Sequence, residues 1–218
     1  MNRRSVVVGI AALAVAGFAM AAYVYKRNAA DQAAAAIAQV SNTLVRPHAP
    51  IIGRIDAPVT IVEFFDPACE ACRAMYPVVK KIMAEYPNDV RVVLRYAAFH
   101  RGSDEVVRLL EMARKQDVFM PVLEAILLAQ PEWADHGRPQ IEKAWATAAT
   151  AGLNIAAARN AMLAPEITAV LDQDKADIRA VGVQQTPTFF VNGKPLPSFG
   201  VQQLQDLVRS EVAAVRKK

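Results

Sequence analysis

The chain has 218 residues, 54% of them hydrophobic and 21% charged, with a formal net charge of +4 and 2 cysteines. It is long enough for one globular domain with an appendage and too hydrophobic for wholesale disorder, while two cysteines exclude a disulfide-rich scaffold, a four-cysteine zinc site and an iron–sulfur cluster. The positive charge is local: Arg3, Arg4, Lys26 and Arg27 face only Asp31 near the amino terminus. The rest of the chain is close to neutral, so a nucleic-acid partner loses its electrostatic basis.

Val6 to Tyr25 is an unbroken run of uncharged, mostly apolar residues. As a helix it is about 30 Å long, the hydrocarbon thickness of a bilayer. Residues 1–27 are therefore expected to form a membrane anchor or, because Ala19-Met20-Ala21 is a small-x-small site, a cleaved signal peptide; the length of the run favours the anchor. Tyr23 and Tyr25 before Lys26 and Arg27 suit a membrane interface, and Arg3 and Arg4 place the amino terminus in the cytoplasm. Either way the body is exported. Residues 28–50 read as an alanine-rich helical stalk in which Ala30, Ala33, Ile37, Val40 and Leu44 make a short heptad stripe, a possible seam for a homo-oligomer. Pro47 and Pro50 end it.

Within 51–218, Val59–Phe65 and Val90–Tyr96 read as buried strands around a helix from Cys72 to Tyr86, whose Met75, Val78, Val79 and Ile82 share a face. This is a β-α-β unit with parallel strands. Further helices are predicted over Asp104–Gln116, Phe119–Ala129, Pro139–Ala151 and Ile155–Val181, the last broken near Pro165. Thr188–Val191, an Asn192-Gly193 turn and a short strand near Leu196 form a hairpin, followed by a helix from Val201 to Val215.

Cys69-Glu70-Ala71-Cys72 falls where the first strand gives way to the helix. A cysteine there meets free backbone N–H groups and the positive end of the helix dipole, which stabilise thiolate, so Cys69 is the candidate nucleophile. Cys72, one turn later, is within disulfide reach and is expected to be the buried resolving thiol. Zinc would need two more ligands, and His48, His100 and His136 are not spaced to supply them; no metal site is expected.

From about Ile51 onward the chain resembles the DsbA-like branch of the thioredoxin superfamily. The segment Gly53 to Asp66 leading into C-x-x-C is similar to that family's first strand and active site, and Thr186-Pro187-Thr188-Phe189-Phe190-Val191-Asn192-Gly193 to its second signature. Pro77 matches a helix-kinking proline, and residues 101–181 match an inserted helical subdomain. The resemblance implies an α/β thioredoxin fold with that insertion and a thiol:disulfide oxidoreductase. It implies no cofactor, protein substrates, and a redox partner in the inner membrane that resets the pair. It also implies a cis bond at Pro187 facing Cys69, with Thr186 beside it offering backbone groups to a substrate strand. Glu63 matches a buried acid and reads as a proton relay for Cys72. His100 is similar to a loop histidine with a structural role, Asp66 reads as turn chemistry before Pro67, and Trp133 and Trp145 as packing for the subdomain.

Glu70 and Ala71 depart from the proline or histidine often found inside C-x-x-C. They put a carboxylate beside the nucleophile, which is expected to disfavour thiolate and tune the pair toward a weaker oxidant. Gln185 replaces a frequent glycine. The main expectation is an exchange enzyme in the periplasm. Alternatives left open are a reductase or isomerase of the same fold, a copper-tolerance module holding Cu(I) on two thiolates, and a tethered scaffold.

Overall fold

In a computed structural model the described residues are 17–29, 31–32 and 43–217. The chain divides into two compact units, residues 1–40 and 41–218. In the first, residues 17–29 and 31–32 are helical and exposed. Most of the Val6–Tyr25 run lies outside the described residues, as do Ala30, Ala33, Ile37 and Val40 of the predicted stalk. Among the described residues, no helix is long and apolar enough to cross a membrane.

The second unit is built on a mixed five-stranded sheet in the order β1-β3-β2-β4-β5. Its strands are β1 (Ile51–Ile52), β2 (Val59–Phe65), β3 (Val90–Tyr96), β4 (Thr188–Val191) and β5 (Lys194–Pro195). β2 and β3 run parallel, with Glu63 opposite Leu94 and Phe64 opposite Arg95. β4 runs antiparallel to β2, placing Phe189 against Glu63. The seven residues of β2 are all buried, as expected for a central strand covered on both faces. Asn192 and Gly193 both take positive φ, 48° and 79°, which suits the two-residue turn joining β4 to β5.

Between β2 and β3 lies α1 (Glu70–Glu85), with Cys72, Met75, Val79 and Ile82 buried. These residues join Val59, Ile61 and Phe65 of β2 and Leu204, Val208 and Val212 of α8 (Val201–Arg216) in one core. Each such aliphatic side chain contributes roughly 1.5–3 kcal/mol when fully buried. Between β3 and β4 come α2 (Ser103–Lys115), α3 (Phe119–Leu128), α4 (Gln130–Trp133), α5 (Ile141–Thr150), α6 (Ile155–Ala161) and α7 (Pro165–Val181). Pro165 opens α7 at a position where its missing N–H costs nothing, and this is the predicted break. Trp133 and Trp145 are buried in these helices, their indole N–H groups donating to the Ile126 carbonyl and the Glu105 carboxylate.

The boundary expected at residue 51 falls inside the second unit, because the chain just before it is packed and bonded to the domain. Leu44 is fully buried. Arg46 donates to Asp177 at 2.7 and 2.8 Å, and His48 lies 2.6 Å from Asp174. Both aspartates also bind the buried guanidinium of Arg95.

Candidate active site

Cys69 is the N-cap of α1, with extended backbone (φ −79°, ψ 120°), and helix starts at Glu70, two residues earlier than the predicted Cys72. Both cysteines are free and buried, Cys69 at 6% and Cys72 at 0% exposure. The Cys69 thiol lies 3.2 Å from the Thr186 carbonyl oxygen, across the cis Thr186–Pro187 peptide. Residues 117 apart in sequence thus meet at the sulfur. Beside Pro187, Phe189, Leu196 and Phe199 line a shallow cleft of about 100 Å³.

The two sulfurs have opposite proton affinities. A hydrogen bond from Cys72 brings Cys69 down to about 5; burial opposes this, while the Thr186 side chain and the backbone N–H groups of Cys72 and Ala71 reinforce it. Burial, then the bond to Cys69 and the charge of Glu63, push the Cys72 thiol far up, with the Asp66 N–H at 3.5 Å opposing. Glu63 projects from β2 toward α1, 3% exposed. Burial, and then the charge on Cys69, push its carboxyl up to about 8. It is thus protonated near neutral pH and sits within electrostatic reach of both cysteines.

Asp66 does more than the turn chemistry expected of it. One oxygen accepts from the Ala68 N–H, which is the turn, and from the Ser103 hydroxyl. The other accepts from the N–H groups of Phe99 and His100 at 2.7 and 2.9 Å, with His100 Nδ1 at 2.8 Å. One fully buried side chain therefore ties the Cys69 loop to the loop after β3. Gly102, at φ 81°, allows that second loop to turn; a Cβ there would stand 2.6 Å from Ile141 Cδ1. Asp66→Asn is expected to destabilise the fold by about 2 kcal/mol, since an amide NH₂ would face donors in a buried site. Urea unfolding measures this, and a loss below about 0.5 kcal/mol would show that the hub is dispensable.

Gln130 was not singled out in the sequence. Its buried amide donates to the carbonyls of Pro67 and Cys69 at 2.8 and 3.0 Å and accepts from Arg73 at 2.9 Å, bolting the helical insertion to the active-site turn. Glu70 meets His136 of the insertion, 2.7 Å away. His136 in turn meets the His100 ring edge to face at 5.0 Å. Among the described residues, no group of three or more His, Cys, Asp or Glu is placed to hold a metal ion.

A thioredoxin family model matches residues 46–209. A thioredoxin-like oxidoreductase from Silicibacter pomeroyi has a similar crystal structure, with a TM-score of 0.68, 31% identity, and coverage of 81% of this chain and 98% of that one. Disulfide bond formation protein D of Bacillus subtilis is 25% identical over 180 residues, 75% of this chain and 77% of that protein. The chain belongs to the DsbA-like branch of the thioredoxin superfamily. A Na(+)/H(+) antiporter NhaA of Herminiimonas arsenicoxydans is also 30% identical over 146 residues, but the match spans only 22% of that antiporter. The DsbA-like assignment does not favour the copper-module alternative.

Proposed function

We propose that this chain is an exported thiol:disulfide oxidoreductase of protein substrates, carried to the periplasmic side of the inner membrane by the Val6–Tyr25 segment. The observation that carries the reading is the contrast between Cys69, at the N-cap of α1 with its sulfur 3.2 Å from the Thr186 carbonyl oxygen and its proton affinity lowered, and Cys72, a fully buried thiol whose proton affinity burial raises. In the oxidising direction a substrate thiolate attacks Cys69 of the Cys69–Cys72 disulfide. The sulfur–sulfur bond breaks, and Cys72 leaves with the electron pair and takes a proton, which Glu63 is placed to supply. A second substrate thiolate then attacks the substrate sulfur of the mixed disulfide and expels Cys69 as thiolate. The substrate gains a disulfide and two electrons pass to the protein, from which a membrane partner removes them. The main-chain groups of Thr186 align the substrate strand, and the cleft beside Pro187 takes its apolar side chain. Stabilisation of the Cys69 thiolate favours the reduced pair and hence this direction.

Cys72→Ala tests the reading. Mixed with a protein disulfide, it is expected to accumulate covalent adducts through Cys69 that dithiothreitol releases, whereas Cys69→Ser and the double variant form none. Adduct levels in Cys72→Ala no higher than in Cys69→Ser would overturn it.

A further inference from the structure

The dipeptide inside C-x-x-C contains no cation, and Glu70 adds a negative charge next to the nucleophile. In the fold, however, that charge is met. The loop between α4 and α5 brings His136 onto Glu70, with Nε2 2.7 Å from Oε1, across 66 residues of sequence. The loop is itself held in place: Asp135 accepts from the N–H groups of Gly137 and Arg138, and Arg101 donates to the Gly137 carbonyl. His100, fixed by Asp66, braces the His136 ring from the other side. Glu70, Arg73, Gln130 and His136 line a groove of about 360 Å³ at the start of α1.

We propose that His136 is a positioning residue for the Cys69 thiolate: the helical insertion supplies in space the cation that the C-x-x-C dipeptide lacks in sequence, and Glu70 is its mount. This deepens the proposed function, since it rests on Cys69 being the nucleophile.

Among the described residues, the charged and titratable groups around His136 include Glu70 and Arg73 of α1, Cys69 at its cap, His100 and Arg101 of the loop after β3, and Asp135 and Arg138 of its own loop. The hydrogen bond to Glu70 is the main cause that raises His136 above its ordinary value, followed by the Glu70 charge; Asp135 and the Cys69 thiolate also raise it. Glu70 is lowered by its own backbone N–H and then by His136. A raised histidine is fully protonated below its ordinary value and loses its proton as pH climbs through the raised one. Its support for the thiolate is therefore present across the range in which Cys69 titrates and fades above it. Both side chains are 58% exposed, so solvent screens the pair and the effect is a modest one.

Linkage makes the proposal testable from both ends, because two coupled protonation sites shift each other by the same factor. In the reduced full-length protein, thiolate absorbance at 240 nm follows Cys69, since Cys72 stays protonated. His136→Gln is expected to raise the proton affinity of Cys69 about threefold. Reciprocally, the His136 imidazole, followed by NMR with the His48 and His100 signals assigned by substitution, is expected to bind its proton about threefold more tightly in the reduced wild type than in Cys69→Ser. An unchanged Cys69 titration in His136→Gln, or identical His136 titrations in wild type and Cys69→Ser, overturns the proposal. Neither measurement needs a substrate. A protein that exchanges disulfides but shows no coupling keeps the proposed function and loses this inference; coupling without exchange does the reverse.

Discussion

Arg95→Met is expected to destabilise the domain by about 3–5 kcal/mol, the cost of leaving buried charge without its partner. Arg95 is fully buried on β3, and its three guanidinium nitrogens are all engaged. Nε and Nη2 donate to Asp174 at 2.9 and 2.7 Å, Nη2 also donates to Asp177 at 2.6 Å, and Nη1 donates to the carbonyls of Thr43 and Leu44 at 2.7 Å each. Methionine fills much of the volume but supplies no donor. Asp174 would keep the Tyr96 N–H and His48, and Asp177 would keep Arg46 and Gln173. The two bonds from Arg95 Nη1 to residues 43 and 44 also go, so the loss loosens residues 43–50, which Arg95 ties to β3. Two readouts check this: the urea midpoint, and proteolytic cutting within 43–50, expected only in the variant. Because Arg95 and Phe64 project from the sheet face opposite Glu63, the Cys69 titration is expected to stay where it is. A loss under about 1 kcal/mol, or a shifted Cys69 titration, would contradict this account. Adding Asp174→Asn should recover part of the loss, since the penalty is unpaired charge and not lost volume.

The elements that were legible in the sequence are those whose signals are local. The valine-rich strands β2 and β3, the helical face of Met75, Val79 and Ile82, the Asn192-Gly193 turn and the break at Pro165 each declare themselves within a few residues. Cys69 and Cys72 were equally plain, because a helix start acts on a cysteine at its own end. Boundaries were less so: helix begins at Glu70 because Cys69 is itself the cap, and the two-residue β1 is too short to show a period. What stayed hidden depends on tertiary distance. Arg95 meets Asp174 and Asp177 across 79 and 82 residues in one buried cluster, and nothing local to any of the three marks that meeting. Gln130 meets Cys69 across 61 residues, and no spacing rule reports such a meeting. Glu70 is the instructive case. Its effect on Cys69 was read from adjacency alone, and the fold supplied a counter-charge that adjacency could not reveal.

Glu63→Gln is expected to make the reduced protein more stable at high pH while making it a slower catalyst. Burial, and then the charge of Cys69, raise the Glu63 carboxyl from 4.5 to about 8. Between those values the folded protein holds a proton that the unfolded chain has released, so folding stability falls as pH rises through that window and levels off above about 8. A shift of this size costs roughly 3–5 kcal/mol at the plateau. Glutamine keeps the shape and cannot ionise, so the variant is expected to gain about that much at pH 9, less at pH 7, and almost nothing at pH 4.5. Urea unfolding of the reduced proteins at these three pH values measures the gain, and a gain independent of pH would refute the ionisation argument. The same substitution removes the group proposed above to pass a proton to and from Cys72, whose thiol burial holds far above its ordinary range. Steps that form or discharge the Cys72 thiolate are then expected to slow about 100-fold, as for loss of a positioned acid–base group. The initial attack by the Cys69 thiolate, followed in Cys72→Ala, should be nearly unaffected. If both steps slowed alike, Glu63 would be acting on the shape of the site and not on its proton. A carboxylate that weakens the fold and yet speeds one half of the exchange has the signature of a group held for its chemistry, because a neutral side chain of the same shape would serve the core better.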